Sequence, residues 1–83
     1  MGIVNTALAV GMLVAVKWGT EPEYHGCVGV LSKIEEIPEY NSDVTVLRDV
    51  KCRDNGKEKT IIGIRTDHLE PASAGDRSWY WRK

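Results

Sequence analysis

Two apolar, β-rich runs near the start of the chain, joined by a polar turn, constrain its fold more than any other feature. The first is Gly11-Met12-Leu13-Val14-Ala15-Val16-Lys17 and the second is Gly26-Cys27-Val28-Gly29-Val30-Leu31-Ser32-Lys33-Ile34. Between them Gly19 lets the chain turn and Pro22 removes a ladder donor. Residues of this type favour strands, and glycines inside a strand mark bulges, sharp coiling or the close approach of another backbone. A small, strongly bent antiparallel barrel begins in this way. Strands are predicted over residues 12–18 and 27–34. In the first, Met12, Val14, Val16 and Trp18 share one face and Leu13, Ala15 and Lys17 the other. In the second, Val28, Val30 and Ile34 lie on one parity, with Ser32 as the polar exception.

The remaining chain continues the pattern. Residues 35–42 form an acidic, proline-broken loop. Residues 43–52 alternate as a third strand, with Val44, Val46 and Arg48 on one side and Thr45, Leu47 and Asp49 on the other. Asp54-Asn55-Gly56 is a hairpin signal, since Asn-Gly takes the positive-φ pair of a type I′ turn. It leads into a fourth strand at 59–65, containing Ile61, Ile62 and Ile64. Thr66 or Asp67 then caps a single 3-10 turn, and Leu69 plugs the barrel end before Pro71. Residues 1–10 are a lead-in, in which Asn5-Thr6 could cap one helical turn. Residues 11–71 make the barrel, and residues 72–83 are a small, polar linker followed by an aromatic tail.

Eighty-three residues make one domain, and a chain of this size buries only about 60–65% of its unfolded surface. Without Phe, the core volume must come from Ile, Val, Leu and the three Trp. The net charge of −1 argues against a generic polyanion binder. That average conceals a segregation. Glu21, Glu23, Glu35, Glu36, Glu39 and Asp43 face only Lys33 in the first half, whereas Arg48, Lys51, Arg53, Lys57, Lys59 and Arg65 dominate the second. Ordinary solvated faces that happen to cluster are expected, with one acidic and one basic side as the alternative.

The apolar stretch at residues 3–16 is interrupted by Asn5 and Thr6 and falls short of the ~20 residues that span a bilayer. The start Met1-Gly2-Ile3-Val4-Asn5-Thr6 fits the short myristoylation pattern, but no polybasic partner follows it. A cytoplasmic protein without membrane association is expected. Cys27 and Cys52 are too few for a disulfide scaffold; two reduced, buried thiols are the expectation and a single bridge the alternative. With His25 and His68 they lack the close-spaced pairs that preorganise zinc, so no metal or other cofactor is expected.

Taken together, Val10-Gly11-Met12-Leu13-Val14-Ala15-Val16, the glycine-punctuated second run and Ile64-Arg65-Thr66-Asp67-His68-Leu69-Glu70-Pro71 resemble the SH3-like barrel, particularly its KOW and Tudor-like members. The resemblance covers about residues 9–71 and is one of fold. It implies an all-β barrel of about five antiparallel strands, with a short 3-10 turn before the last. It also implies aromatic residues at the rim as the binding surface, which here are Trp18, Tyr24 and Tyr40. The acidic loop after the second strand departs from nucleic-acid-binding KOW domains, where that loop tends to be basic.

No catalytic constellation stands out. Asp67 and His68 are neighbours only in sequence, Glu35 and Glu36 point to opposite faces of a strand, and no glycine loop opens a helix to cradle phosphate. A non-catalytic interaction module is expected, a small accessory factor of the size phages and mobile elements often encode, binding and modulating a larger protein assembly. The alternatives are a nucleic-acid-binding domain and a small oligomeric enzyme or enzyme subunit. Nucleic acid would use the basic hairpin, Arg48, Lys51, Arg53, Lys57 and Lys59, together with Arg77, Trp79, Trp81 and Arg82 of the tail. If the tail is extended, Trp79 and Trp81 share one face and Tyr80 takes the other. They either pack back on the sheet or dock a partner. Trp18 is either a core residue by parity or a rim residue by position. The oligomeric state is open.

Overall fold

A computed structural model describes residues 8–40, 42–53 and 58–82, without the side chains of Tyr40, Ser42, Glu58, Lys59 and Thr60. Strands β1 (Leu13–Val16), β2 (Cys27–Ile37), β3 (Ser42–Cys52), β4 (Glu58–Arg65) and β5 (Leu69–Pro71) are followed by helix α1 (Ala74–Tyr80). Among the described residues, 3-10 turns lie at Pro22–Tyr24, Pro38–Tyr40 and Thr66–His68. The acylation pattern, the Asn5-Thr6 cap, the Asp54-Asn55-Gly56 turn, Lys57 and the side chains of Lys59 and Tyr40 lie outside the described residues. Among the described residues no helix is long and apolar enough to cross a membrane.

The strands form one antiparallel sheet in the order β4-β3-β2-β1-β5. Flat, such a sheet would hold its two edges about 19 Å apart, at ~4.8 Å per strand. Yet only the 3-10 turn Thr66–His68 joins β4 to β5, and three residues of such a turn rise about 6 Å. The sheet therefore curls enough to bring the end of β4 near the start of β5. The Lys17 amide donates to the His68 carbonyl at 2.8 Å, and the hydroxyls of Thr45 and Thr66 meet at 2.8 Å, fastening the turn to β1 and β3.

Curling gives the sheet an inside and an outside, and both are buried over β1 and β2. Val14, Val16, Leu31, Leu47, Val50, Ile62, Ile64 and Leu69 fill the concave side. On the convex side Leu13, Ala15, Val28 and Val30 are covered by Ala72, Tyr80 and, in part, Trp79. All four residues of β1 are buried, which is why its sequence reads as a continuous apolar run rather than an alternation.

Four expectations are corrected here. The tail is helical, not extended: the Ser73 hydroxyl accepts from the Asp76 amide while the Asp76 carboxylate accepts from the Ser73 amide, a reciprocal cap that nucleates α1. In β3, Val50 rather than Asp49 faces the core. Asp49 adopts a left-handed φ of 53°, and two residues, Asp49 and Val50, oppose the single Gly29 of β2. In β2, Ser32 is itself an extra residue, because Leu31 pairs with Leu47 while Lys33 pairs with Val46. That bulge takes Ile34 off the face of Val28 and Val30. The loop predicted at 35–42 is shorter than expected, as β2 runs on to Ile37 and β3 starts at Ser42.

Gly29 marks a close approach. A Cβ there would stand 2.8 Å from Val50 Cγ2 and 3.2 Å from both the Arg48 carbonyl oxygen and Leu47 Cβ. The cysteines also depart from the expectation of free thiols. Cys27 and Cys52 are direct cross-strand partners at the end of the β2–β3 ladder, with Cα atoms 3.9 Å apart, and they form a disulfide. The pairing spans 25 residues of sequence, and the two bulges between it and the β2–β3 connection cancel, so that Cys27 with Cys52 keeps the register of Ile37 with Ser42.

Candidate functional site

The loop between β1 and β2 carries the most exposed aromatic side chain described, the Trp18 indole at 76% exposure. Its parity is that of core residues, but the strand has already ended at Val16. Gly19, with φ 79°, turns the chain, and the Thr20 hydroxyl donates to the Lys17 carbonyl at 2.7 Å, closing the turn right behind Trp18. The indole cannot follow Val14 and Val16 inward and packs edge-on against His25, with ring centroids 3.8 Å apart. Farther along, Tyr24 turns the other way and packs against the inner core. Glu21 ties the loop to the Thr66–His68 turn, accepting from His68 Nδ1 at 2.8 Å. A carboxylate only accepts, so that nitrogen carries the proton.

Beneath Trp18 lies a groove of about 80 Å³, walled by Ala15, Val16, Gly26, Cys27 and Val28 and rimmed by Arg53, Glu70 and Asp76. Each rim residue is placed by register or by the helix. Glu70 stands opposite Ala15 in the β1–β5 ladder. Gly26, at φ 75°, turns the chain into β2 and accepts from the Arg53 amide at 3.1 Å. Asp76 belongs to the first turn of α1.

Arg53 is the hinge between groove and helix. Its guanidinium donates to the Gly75 carbonyl at 3.2 Å, lies 3.3 Å from the Asp76 carboxylate and sits over the Trp79 ring at 4.8 Å from the centroid. Lys51 makes a second clamp, its ammonium 4.9 Å above the Tyr80 ring and donating to the Tyr80 carbonyl at 3.2 Å. The Tyr80 hydroxyl in turn donates to the Asp49 carbonyl, which the β3 bulge presents.

Of the sequence-derived site residues, Trp18 and Arg53 therefore share one groove. Lys51, Arg53 and Trp79 assemble around α1 instead of forming a separate basic face. Arg48 pairs with Asp49 at 2.7 Å, on the outer side of β3. Tyr24 is half-buried and lies away from the groove wall. Arg77 and Arg82 are exposed, and so is Trp81, whose ring meets Tyr80 edge-on at 4.6 Å. A helix turns about 100° per residue, so Trp79 and Trp81 cannot share a face as they would in a strand. Arg48, Arg53 and Arg65 each lie within 3.3 Å of an aspartate, so they do not make the one-signed face that was the alternative reading of the charge pattern.

Sequence reasoning missed Glu70, Asp76 and Tyr80. The last two were signalled by Ser73-Ala74-Gly75-Asp76, a capping pattern at the right spacing. No signal marked Glu70, whose place comes from the β1–β5 register. No protein-family model matches the chain, and neither curated proteins nor solved structures show a significant similarity to it.

Proposed function

We propose that this chain is a non-catalytic protein-interaction module, of the accessory kind that docks on a larger assembly, and that the Trp18 groove takes a basic side chain of its partner. The observation that carries the reading is a Trp indole standing 76% exposed over a formed groove. An exposed indole of this kind offers a large, stiff contact surface that gains from being covered. Size decides the class of ligand. Small-molecule sites occupy about 300–1,000 Å³, whereas about 80 Å³ accommodates one side-chain head group.

Charge supports a cation. Asp76 offsets Arg53, which leaves Glu70 on the rim, and Glu21 and Glu23 lie in the loop that carries Trp18. A lysine or arginine over the indole face would gain cation–π attraction, worth about 0.5–2 kcal/mol. The sheet order, with a 3-10 turn before the last strand, supports the SH3-like reading of the fold, in which the β1–β2 loop belongs to the barrel rim. Nucleic acid is the less favoured ligand, because the described cations of the β3–β4 hairpin already face aspartates or clamp α1.

Calorimetric titration of the full chain with an arginine-rich peptide, and in parallel with a single-stranded oligonucleotide, tests this. The peptide binds, and Trp18→Ala weakens it about tenfold, the equivalent of 1.4 kcal/mol, without changing the circular dichroism. Peptide binding indifferent to Trp18→Ala, or oligonucleotide binding in its place, refutes the proposal.

A further inference from the structure

We infer that Cys27 and Cys52 form a thiol–disulfide site whose oxidation state governs how α1 is held and, through Arg53, the shape of the groove. Its consequence for binding rests on the groove reading above; its consequence for α1 does not.

The placement of the pair carries the inference. Both sulfurs lie in the inner core beside Leu31, Leu47 and Val50, all three fully buried, so there is no slack on that side. Two unbonded thiols need more room than a bridge. The relief available lies in the flanking backbone, Gly26-Cys27 and Cys52-Arg53, at the end of the β2–β3 ladder. Those same residues carry the hydrogen bond from the Arg53 amide to Gly26 and the side chain that holds Gly75, Asp76 and Trp79. Cys27 and Arg53 also line the groove. Parting the sulfurs thus moves the residue that clamps the first turn of α1.

The exchange is a two-electron step with a low-molecular-weight thiol of the glutathione class. Cys27 and Cys52 are 1% and 2% exposed, so exchange follows local opening of the ladder end, where one reagent thiolate attacks the Cys27 sulfur. This forms a mixed disulfide and releases the other cysteine as a thiolate. A second reagent thiolate frees Cys27, and the reagent leaves as its own disulfide. Two electrons and two protons remain on the protein as two S–H groups.

The test compares the full chain, oxidised and reduced by dithiothreitol under argon, in trypsin cleavage after Arg77 at 10 °C. Free-thiol titration confirms each state, and arginine-peptide titration follows. Reduction accelerates the cleavage about tenfold while far-UV circular dichroism retains the sheet, and it weakens peptide binding. The Cys27→Ala/Cys52→Ala chain, which has neither the bridge nor the bulk of two thiols, is cut at a rate that the reductant does not change. Arg53→Ala, with the bridge intact, accelerates cleavage to the same degree. Equal cleavage in the two redox states overturns the inference, as does an Arg53→Ala chain that cuts like wild type. Global unfolding on reduction also overturns it, the bridge then being a staple for the whole fold. If the peptide binds neither redox state while the cleavage contrast persists, the groove reading fails and this one stands.

Discussion

Replacing Tyr80 with alanine removes the side chain that seals the convex face of the sheet. Tyr80 is 2% exposed among Leu13, Ala15, Val28 and Val30, with its hydroxyl on the Asp49 carbonyl and the Lys51 ammonium over its ring. Truncating a buried aromatic to alanine costs about 3–5 kcal/mol through lost transfer energy and the cavity left behind. For 83 residues the whole folding free energy is about 4–12 kcal/mol, so the variant stands near the limit of folding. At roughly 4–8 °C per kcal/mol for a domain of this size, Tm falls by about 20 °C. Tyr80→Phe separates packing from hydrogen bonding: it keeps the ring and loses one hydrogen bond, about 1 kcal/mol or ~5 °C. Thermal unfolding followed by far-UV circular dichroism ranks the three chains. A Tyr80→Ala protein that melts within about 3 °C of wild type refutes the packing of α1 on β1 and β2.

Other perturbations probe the remaining contacts. Opening the Cys27–Cys52 bridge frees a loop of 25 residues in the unfolded chain; loop entropy sets the loss at about 3.5 kcal/mol, read by calorimetry with and without reductant as a Tm lower by ~20 °C. Gly29→Ala forces a Cβ against Val50 and the Arg48 carbonyl, and urea unfolding should register a loss of about 1–3 kcal/mol; a neutral result contradicts the close approach of β2 to β3. Ser73→Ala removes the cap of α1 and lowers stability by about 1 kcal/mol, with a matching rise in trypsin cleavage after Arg77.

Much of the sheet was legible because its signals are local. Val14-Ala15-Val16, the alternation from Val44 to Arg48, and Ile62 and Ile64 of β4 each report burial within a few residues. What the sequence hid depends on register. The Asp49 and Ser32 bulges change which residues face the core, and only the partner strand defines them; the hints were Gly29, which lies opposite the first, and Ser32, which forms the second. Trp18 reads as core by parity until the turn at Gly19 ends the strand before it. The cations at Lys51 and Arg53 looked like a nucleic-acid face because α1 was invisible as their partner. Gly75 and the shortness of α1 masked a helix that its capping residues announced. The groove itself joins β1, β2, β5 and α1, so no single segment could display it.

The central claim is that this chain binds a partner through the groove beneath Trp18. Amide and indole correlation spectra, recorded while the full ¹⁵N-labelled chain is titrated with the arginine-rich peptide, test it residue by residue. The account predicts the largest shifts at the Trp18 indole N–H and at the amides of Gly26, Cys27, Arg53, Glu70 and Asp76, which surround the groove. Shifts confined to β3 and β4, or none at saturating peptide, would contradict it.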